Sequence, residues 1–130
     1  MDPATTVREY YRTLRDEEPL YPYFREAPTT VKFGLSEALV GYEAVVTGLR
    51  EQTRTTTDWV ARGRDLTVGE ATPGEPRAER APPCAWFADD VVLAWTDTDS
   101  GVRHEFDTRW SGTLVDGEFA TMHVSTVEEF

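Results

Sequence analysis

Apolar residues recur at helical spacing near the start of the chain. Val7, Tyr10, Tyr11 and Leu14 fall at i, i+3, i+4 and i+7, which is the stripe of one buried helix face. The pattern predicts a helix over Thr6 to Arg15, with Thr6 and Glu9 spaced as a capping box. Glu17-Glu18-Pro19 ends it, and Pro22 holds Leu20 to Arg25 to a short turn. Val31, Phe33 and Leu35 alternate with Lys32 and Gly34, which predicts a short strand. Tyr42, Val45, Val46 and Leu49 repeat the helical stripe, and Arg50 and Arg54 follow where cations suit the helix dipole.

From Trp59 onward the sequence reads as strands. Trp59 to Glu70, Cys84 to Thr96, Val102 to Val115 and Glu118 to Val127 are rich in Val, Trp, Phe and Thr and are separated by turn residues. Ala71 to Pro83 contains four prolines, which cannot join a ladder, so a long hairpin loop is expected there. Asp97 to Gly101 is a turn, and Asp116-Gly117 is the signature of a two-residue type I′ hairpin. Helices followed by four antiparallel strands give an α+β layout, and the 130 residues are expected to form one domain. The Cys84 to Thr96 strand is apolar on both faces, with Trp86, Ala88, Val92 and Ala94 on one and Ala85, Phe87, Val91, Leu93 and Trp95 on the other. A sheet with one wet side alternates more cleanly. A second copy of the chain is the simplest cover, so a homodimer through the outer sheet face is expected.

A two-residue loop sets Val115 opposite Glu118 and fixes each later pair. One face then carries Leu114 with Phe119, Gly112 with Thr121, Trp110 with His123, Thr108 with Ser125, and Phe106 with Val127. The other carries Ser111 with Met122, Arg109 with Val124 and Asp107 with Thr126. The first is the more apolar and is expected to point inward. It gathers Thr108, Thr121, His123 and Ser125 between Trp110, Phe106 and Phe119, a few polar groups among apolar walls, as in a small-molecule site. The alternative is a satisfied core histidine.

Charge narrows the function. Thirteen basic residues against 24 acidic ones leave −11, which repels phosphate backbones and anionic lipid, so neither nucleic acid nor a membrane is expected as a partner. No apolar run approaches the ~20 residues of a membrane span, and Met1-Asp2-Pro3 does not open a secretory leader. A cytoplasmic protein is expected. Lys32 is the only lysine, and the other twelve cations are arginine. Dispersed acids suit a salt-rich cytoplasm, and a high-GC genome is the alternative source of the arginine bias. Cys84 is the only cysteine and follows two prolines, which gives no disulfide framework and an inert thiol. His104-Glu105 and His123 lack metal-ligand spacing, and the glycines form no phosphate loop. No metal or cofactor is expected. Four tryptophans without a basic patch read as core, not as a stacking platform for bases.

Gly34 to Val46, Ala85-Trp-Phe-Ala-Asp89, Phe106-Asp-Thr-Arg-Trp110, Asp116-Gly117 and Met122-His-Val-Ser125 follow one another over nearly the whole chain. In that order they resemble a SnoaL-like domain of the nuclear-transport-factor-2-like superfamily. The resemblance implies an α+β cone, with helices packed in a strongly curved antiparallel sheet around a pocket, and a homodimer formed through the sheet's outer face. That superfamily holds ketosteroid-isomerase-like enzymes, polyketide cyclases, dehydratases and members with no known reaction. The expected function is binding of an unidentified small organic molecule in an apolar pocket. The alternatives are a ketosteroid-isomerase-like or polyketide-cyclase-like proton transfer, and a structural dimer whose cavity is packing space. For catalysis His123 is the candidate base, and Tyr11, or its neighbour Tyr10, the candidate donor. Tyr10, Phe33, Trp59, Trp86, Phe106, Thr108, Trp110, Thr121 and Ser125 are the expected lining.

Overall fold

The computed structural model describes residues 2–70 and 84–126. The expected loop over 71–83 and the pairing of Val127 lie outside them. Helix α1 runs Pro3–Arg15 and starts three residues before the expected Thr6. Asp2 is the cap: its Oδ1 accepts from Thr5 N at 2.8 Å, and Pro3 takes the first turn. The aspartate cap accepts the Thr5 amide, and proline at the first position has no amide to satisfy. Thr6 therefore lies inside the helix, and its Oγ1 donates to Asp2 O.

A 3-10 turn at Tyr21–Tyr23 leads to β1 (Val31–Phe33) and β2 (Ala38–Val40), an antiparallel hairpin with Leu35 in its turn. Helix α2 spans Tyr42–Thr55. The single strand expected over Trp59 to Glu70 is two, β3 (Thr56–Gly63) and β4 (Thr67–Glu70), and both pair with β5 (Cys84–Asp97). β6 (Arg103–Val115) and β7 (Glu118–Thr126) complete one sheet in the order β2-β1-β7-β6-β5-β3. The sheet is mixed, not wholly antiparallel, because β1 runs parallel to β7. Val7, Tyr10 and Leu14 of α1 and Val45 and Leu49 of α2 share one core with Phe87, Val91, Leu93, Trp110 and Leu114 from the sheet. No described helix is long and apolar enough to cross a membrane.

The last hairpin turns as its sequence predicts: Asp116 and Gly117 both have positive φ, 53° and 79°, as type I′ requires. Its register then departs from the expected one. Leu114 faces Phe119, but Thr113 faces Thr121, so Ala120 is one residue extra on β7. Beyond this bulge Trp110 faces Val124, Ser111 faces His123 and Arg109 faces Ser125. One added residue moves every later side chain of β7 to the other face. Met122 and Val124 are buried as a result, and Thr121 and His123 are exposed. The exchange is driven by burial, since it trades a histidine and a threonine at the core for a methionine and a valine.

A second bulge serves the site. Thr57 faces Thr96 and Val60 faces Ala94, with one residue extra between them on β3. Asp58 there adopts φ 54°. The bulge brings Trp59 onto the same inward face as Thr56.

Candidate functional site

Helices and sheet enclose a cavity of about 480 Å³. Tyr10 and Leu14 of α1 and Gln52 and Thr56 at the end of α2 form one side, and Leu93, Trp95, Trp110 and Val124 of the sheet form the other. Trp59 stacks on Trp95 with centroids 5.0 Å apart, and Trp95 stacks on the His104 ring at 5.1 Å. Trp59 Nε1 donates to Thr56 Oγ1 at 2.9 Å, which fixes the plane of its ring. Thr56 Oγ1 in turn donates to Gln52 O.

Two polar pairs line this aromatic chamber at opposite ends of the strands. At the start of β6, His104 Nε2 donates to Asp97 Oδ2 at 2.7 Å. Asp97 Oδ1 also accepts from Trp95 Nε1 at 3.2 Å, so one carboxylate orients both rings. A carboxylate only accepts, so the pair places a hydrogen on Nε2; in the neutral ring Nδ1 then carries the lone pair. At the other end Lys32, on β1 in register with Met122, donates from Nζ to Glu37 Oε1 at 2.8 Å. The only lysine of the chain is thus buried in this lining, its side chain 6 % exposed.

Tyr10 adds a third polar group. Burial pushes its phenol well above the ordinary range, and the charges of Glu37 and Tyr23 push the same way. It stays protonated across neutral pH, as a donor must.

The expected site residues divide. Tyr10, Trp59 and Trp110 line the cavity. Thr108 faces inward but is spent, donating to Val91 O at 2.7 Å and accepting from Trp110 Nε1 at 3.0 Å. Phe106 faces inward beside Trp95. Tyr11 lies on the next stripe of α1, where its hydroxyl donates to Asp89 Oδ2 at 2.9 Å outside the cavity. His123, Thr121 and Ser125 sit on the outer face, for the register reason above. Phe33 is 41 % exposed and meets the His123 ring edge-on there. Trp86, 48 % exposed, lies over Gly69 on the outer face. His123 therefore has no access to the chamber.

His104, Asp97, Lys32 and Glu37 were not among the expected site residues. The parity of β6 marks His104: Phe106, Thr108 and Trp110 face inward, and His104 stands two residues before Phe106 on the same face. The solitary lysine was visible too, at the centre of a three-residue strand. Glu37 and Asp97 lie in or beside turns, where no period fixes the direction of a side chain. Among the described residues no group of three or more His, Cys, Asp or Glu side chains is placed to hold a metal ion.

No family model and no curated protein matches the chain. Solved structures do. A nuclear-transport-factor-2-like superfamily protein from Salmonella enterica serovar Typhimurium superposes with a TM-score of 0.75 at 13 % identity, covering 96 % of this chain and 88 % of that one. A ketosteroid isomerase-like protein from Erwinia carotovora atroseptica gives 0.70 at 12 % identity, with 97 % and 94 % covered. The epoxide hydrolase/cyclase-like enzyme SalBIII, with a role in pyran ring formation in polyether salinomycin, gives 0.69 at 14 % identity, with 95 % and 88 % covered. At these identities the likeness is one of architecture: the chain has the nuclear-transport-factor-2-like fold, an α+β cone of helices held in a curved sheet.

Proposed function

We propose that the chain is a SnoaL-like protein whose cavity binds a small, flat, largely apolar organic molecule bearing oxygen at its ends. The observation that carries this is the aromatic wall of Trp59, Trp95 and Trp110 set between the Lys32–Glu37 and Asp97–His104 pairs. Flat apolar surface is favoured against stacked indoles, and the polar pairs offer hydrogen bonds only near the two ends. 2-Naphthol is a fitting probe. It is expected to quench tryptophan emission saturably at one site, and Trp95→Leu is expected to weaken it about tenfold. Trp86→Leu, on the outer face, is expected to leave the affinity unchanged. Equal weakening by both variants, or no saturation, rejects the reading.

A second reading rests on the His104–Asp97 pair. A histidine oriented by a carboxylate suits proton abstraction beside a carbonyl, and the protonated Tyr10 phenol suits the enolate oxygen. The ketosteroid isomerase-like neighbour and SalBIII share only the fold with this chain, which allows such chemistry without implying it. A protein that follows this reading speeds deuterium exchange at the α-carbon of 2-tetralone in heavy water. His104→Gln then loses ~10²- to 10⁴-fold in rate with affinity little changed. Exchange no faster than in buffer leaves binding as the function.

The outer sheet face is read as the seat of a second copy of the chain. Phe33 and Trp86, both more than a third exposed, support this, because large aromatic rings on a sheet face favour cover. Light scattering is expected to give about twice 14.7 kDa, and a single-chain mass rejects the dimer.

A further inference from the structure

Among the described residues that line the aromatic cavity, Lys32 is the only lysine or arginine. It stands at the centre of β1, between Leu39 of β2 and Met122 of β7, and is buried with Met122. Its Nζ donates to Glu37 Oε1 at 2.8 Å across the turn that joins β1 to β2. Gly34 makes room for that contact, since a Cβ there would lie 2.9 Å from both Glu37 Cγ and Glu37 Oε1. The charge of Glu37 also acts on the Tyr10 phenol, so the ion pair and the phenol share one end of the cavity.

Charge decides what this end can take. Glu37 matches the charge of Lys32. Glu51, also in the lining, is matched by Arg54 at 2.6 Å, and Asp97 accepts from both His104 and Trp95. An entering carboxylate would have to share Lys32 with Glu37, and like charges held that close repel one another. A neutral oxygen meets no such cost. An ammonium carries three N–H donors, and a hydrogen bond from a charged donor is roughly twice as strong as one between neutral groups. It donates to single oxygens, where a guanidinium fork would suit both oxygens of a carboxylate. Buried away from water, such a donor gains from an acceptor that the ligand brings.

We propose that Lys32 sets the specificity of the cavity: its ammonium donates to the carbonyl oxygen of a neutral, flat organic molecule, and Glu37 excludes the carboxylate of the same frame. This rests on the cavity being a ligand site, as read above, and makes the oxygen at one end of that ligand an uncharged acceptor. An ion pair that only closed the β1–β2 hairpin would act on all ligands alike.

The test is equilibrium dialysis of the full chain, near neutral pH, with naphthalene, 2-acetonaphthone and 2-naphthoate. The three share one flat frame and differ in the group offered to Lys32. 2-Acetonaphthone is expected to bind about tenfold tighter than naphthalene, and 2-naphthoate about tenfold weaker than the ketone. Lys32→Met keeps the length of the side chain and drops its charge, and Glu37, a third exposed, can then turn to solvent. This variant is expected to bring the ketone down to the affinity of naphthalene and to leave naphthalene unchanged. Glu37→Gln leaves the Lys32 charge unmatched and is expected to tighten 2-naphthoate about tenfold, with the ketone little changed. Circular dichroism confirms that each variant is folded. Binding of naphthalene with no preference for the ketone overturns the proposal while the cavity remains a ligand site. Equal weakening of all three ligands by Lys32→Met overturns it too, as does a 2-naphthoate affinity that Glu37→Gln fails to raise. Binding of none of the three overturns the ligand site and the proposal together.

Discussion

Raised above pH 10, the protein is expected to unfold in one cooperative step in which Tyr10 and Tyr11 ionise together. Both phenols are held well above the ordinary range, first by burial. The charge of Glu37 adds to this for Tyr10, and the charge and hydrogen bond of Asp89 add to it for Tyr11. The folded state thus keeps two protons that the unfolded chain gives up near pH 10. The stabilisation from a raised value is complete below the unfolded value and is lost as pH climbs toward the folded one. Each such phenol removes about 1.4 kcal/mol per pH unit over that window. Two of them remove about 5 kcal/mol by two units above pH 10, which matches the stability of many domains of this size. Phenolate absorbance near 295 nm should therefore rise in two stages. The buried pair contributes the stage that coincides with the loss of ellipticity. Tyr10→Phe should make the second stage shallower by about half. If all five tyrosines ionise smoothly near pH 10 with ellipticity unchanged, the two phenols are not buried as described.

Tyr10 and Tyr11 also mark how far the sequence can be read. Helical spacing placed both on the inner side of α1, and both are buried. Adjacent residues differ by about 100° around a helix, so they cannot share a pocket. Tyr10 turns to the aromatic cavity and Tyr11 to the buried Asp89. On β6 the period of two held over its whole length, which is why Phe106, Thr108 and Trp110 were correctly set inward. β7 broke it. Phe119 is buried at an odd position, and Met122 and Val124 at even ones, a change of phase that only an extra residue can produce. The turn itself was legible, because Asp-Gly specifies its backbone. The bulge does not follow from that turn, since a turn sets the first pairs and burial sets the rest. That one residue decided the histidine: His123 went outward, and His104, at the far end of the neighbouring strand, took the inward place beside Asp97.

The bulge supplies the second large effect, at Gly112. This residue sits on the inner face of β6, opposite Met122 on one side and Phe87 on the other. A Cβ there would lie 2.3 Å from Thr121 O, 2.8 Å from Phe87 Cε1 and 3.2 Å from Met122 Cα. The first and last of these are backbone atoms of β7 just after the extra residue Ala120, and no rotamer change moves them. Gly112→Ala must therefore force β6 and β7 apart next to the buried Met122. The cost of such overpacking is ~3 kcal/mol, which for a chain of this length lowers the melting temperature by about 10 °C. Gly69→Ala is the matched control. A Cβ there would come equally close, 2.3 Å, but to the indole nitrogen of Trp86. That ring is half exposed on the outer face and can swing into solvent. Both substitutions take glycine out of a strand, so their effects on the unfolded chain cancel in the comparison. Gly69→Ala is expected to change stability by less than ~1 kcal/mol. Melting temperatures measured side by side decide the matter. Equal shifts in the two variants would mean that β7 does not press against Gly112, and the register that carries His123 to the outer face would fall with it.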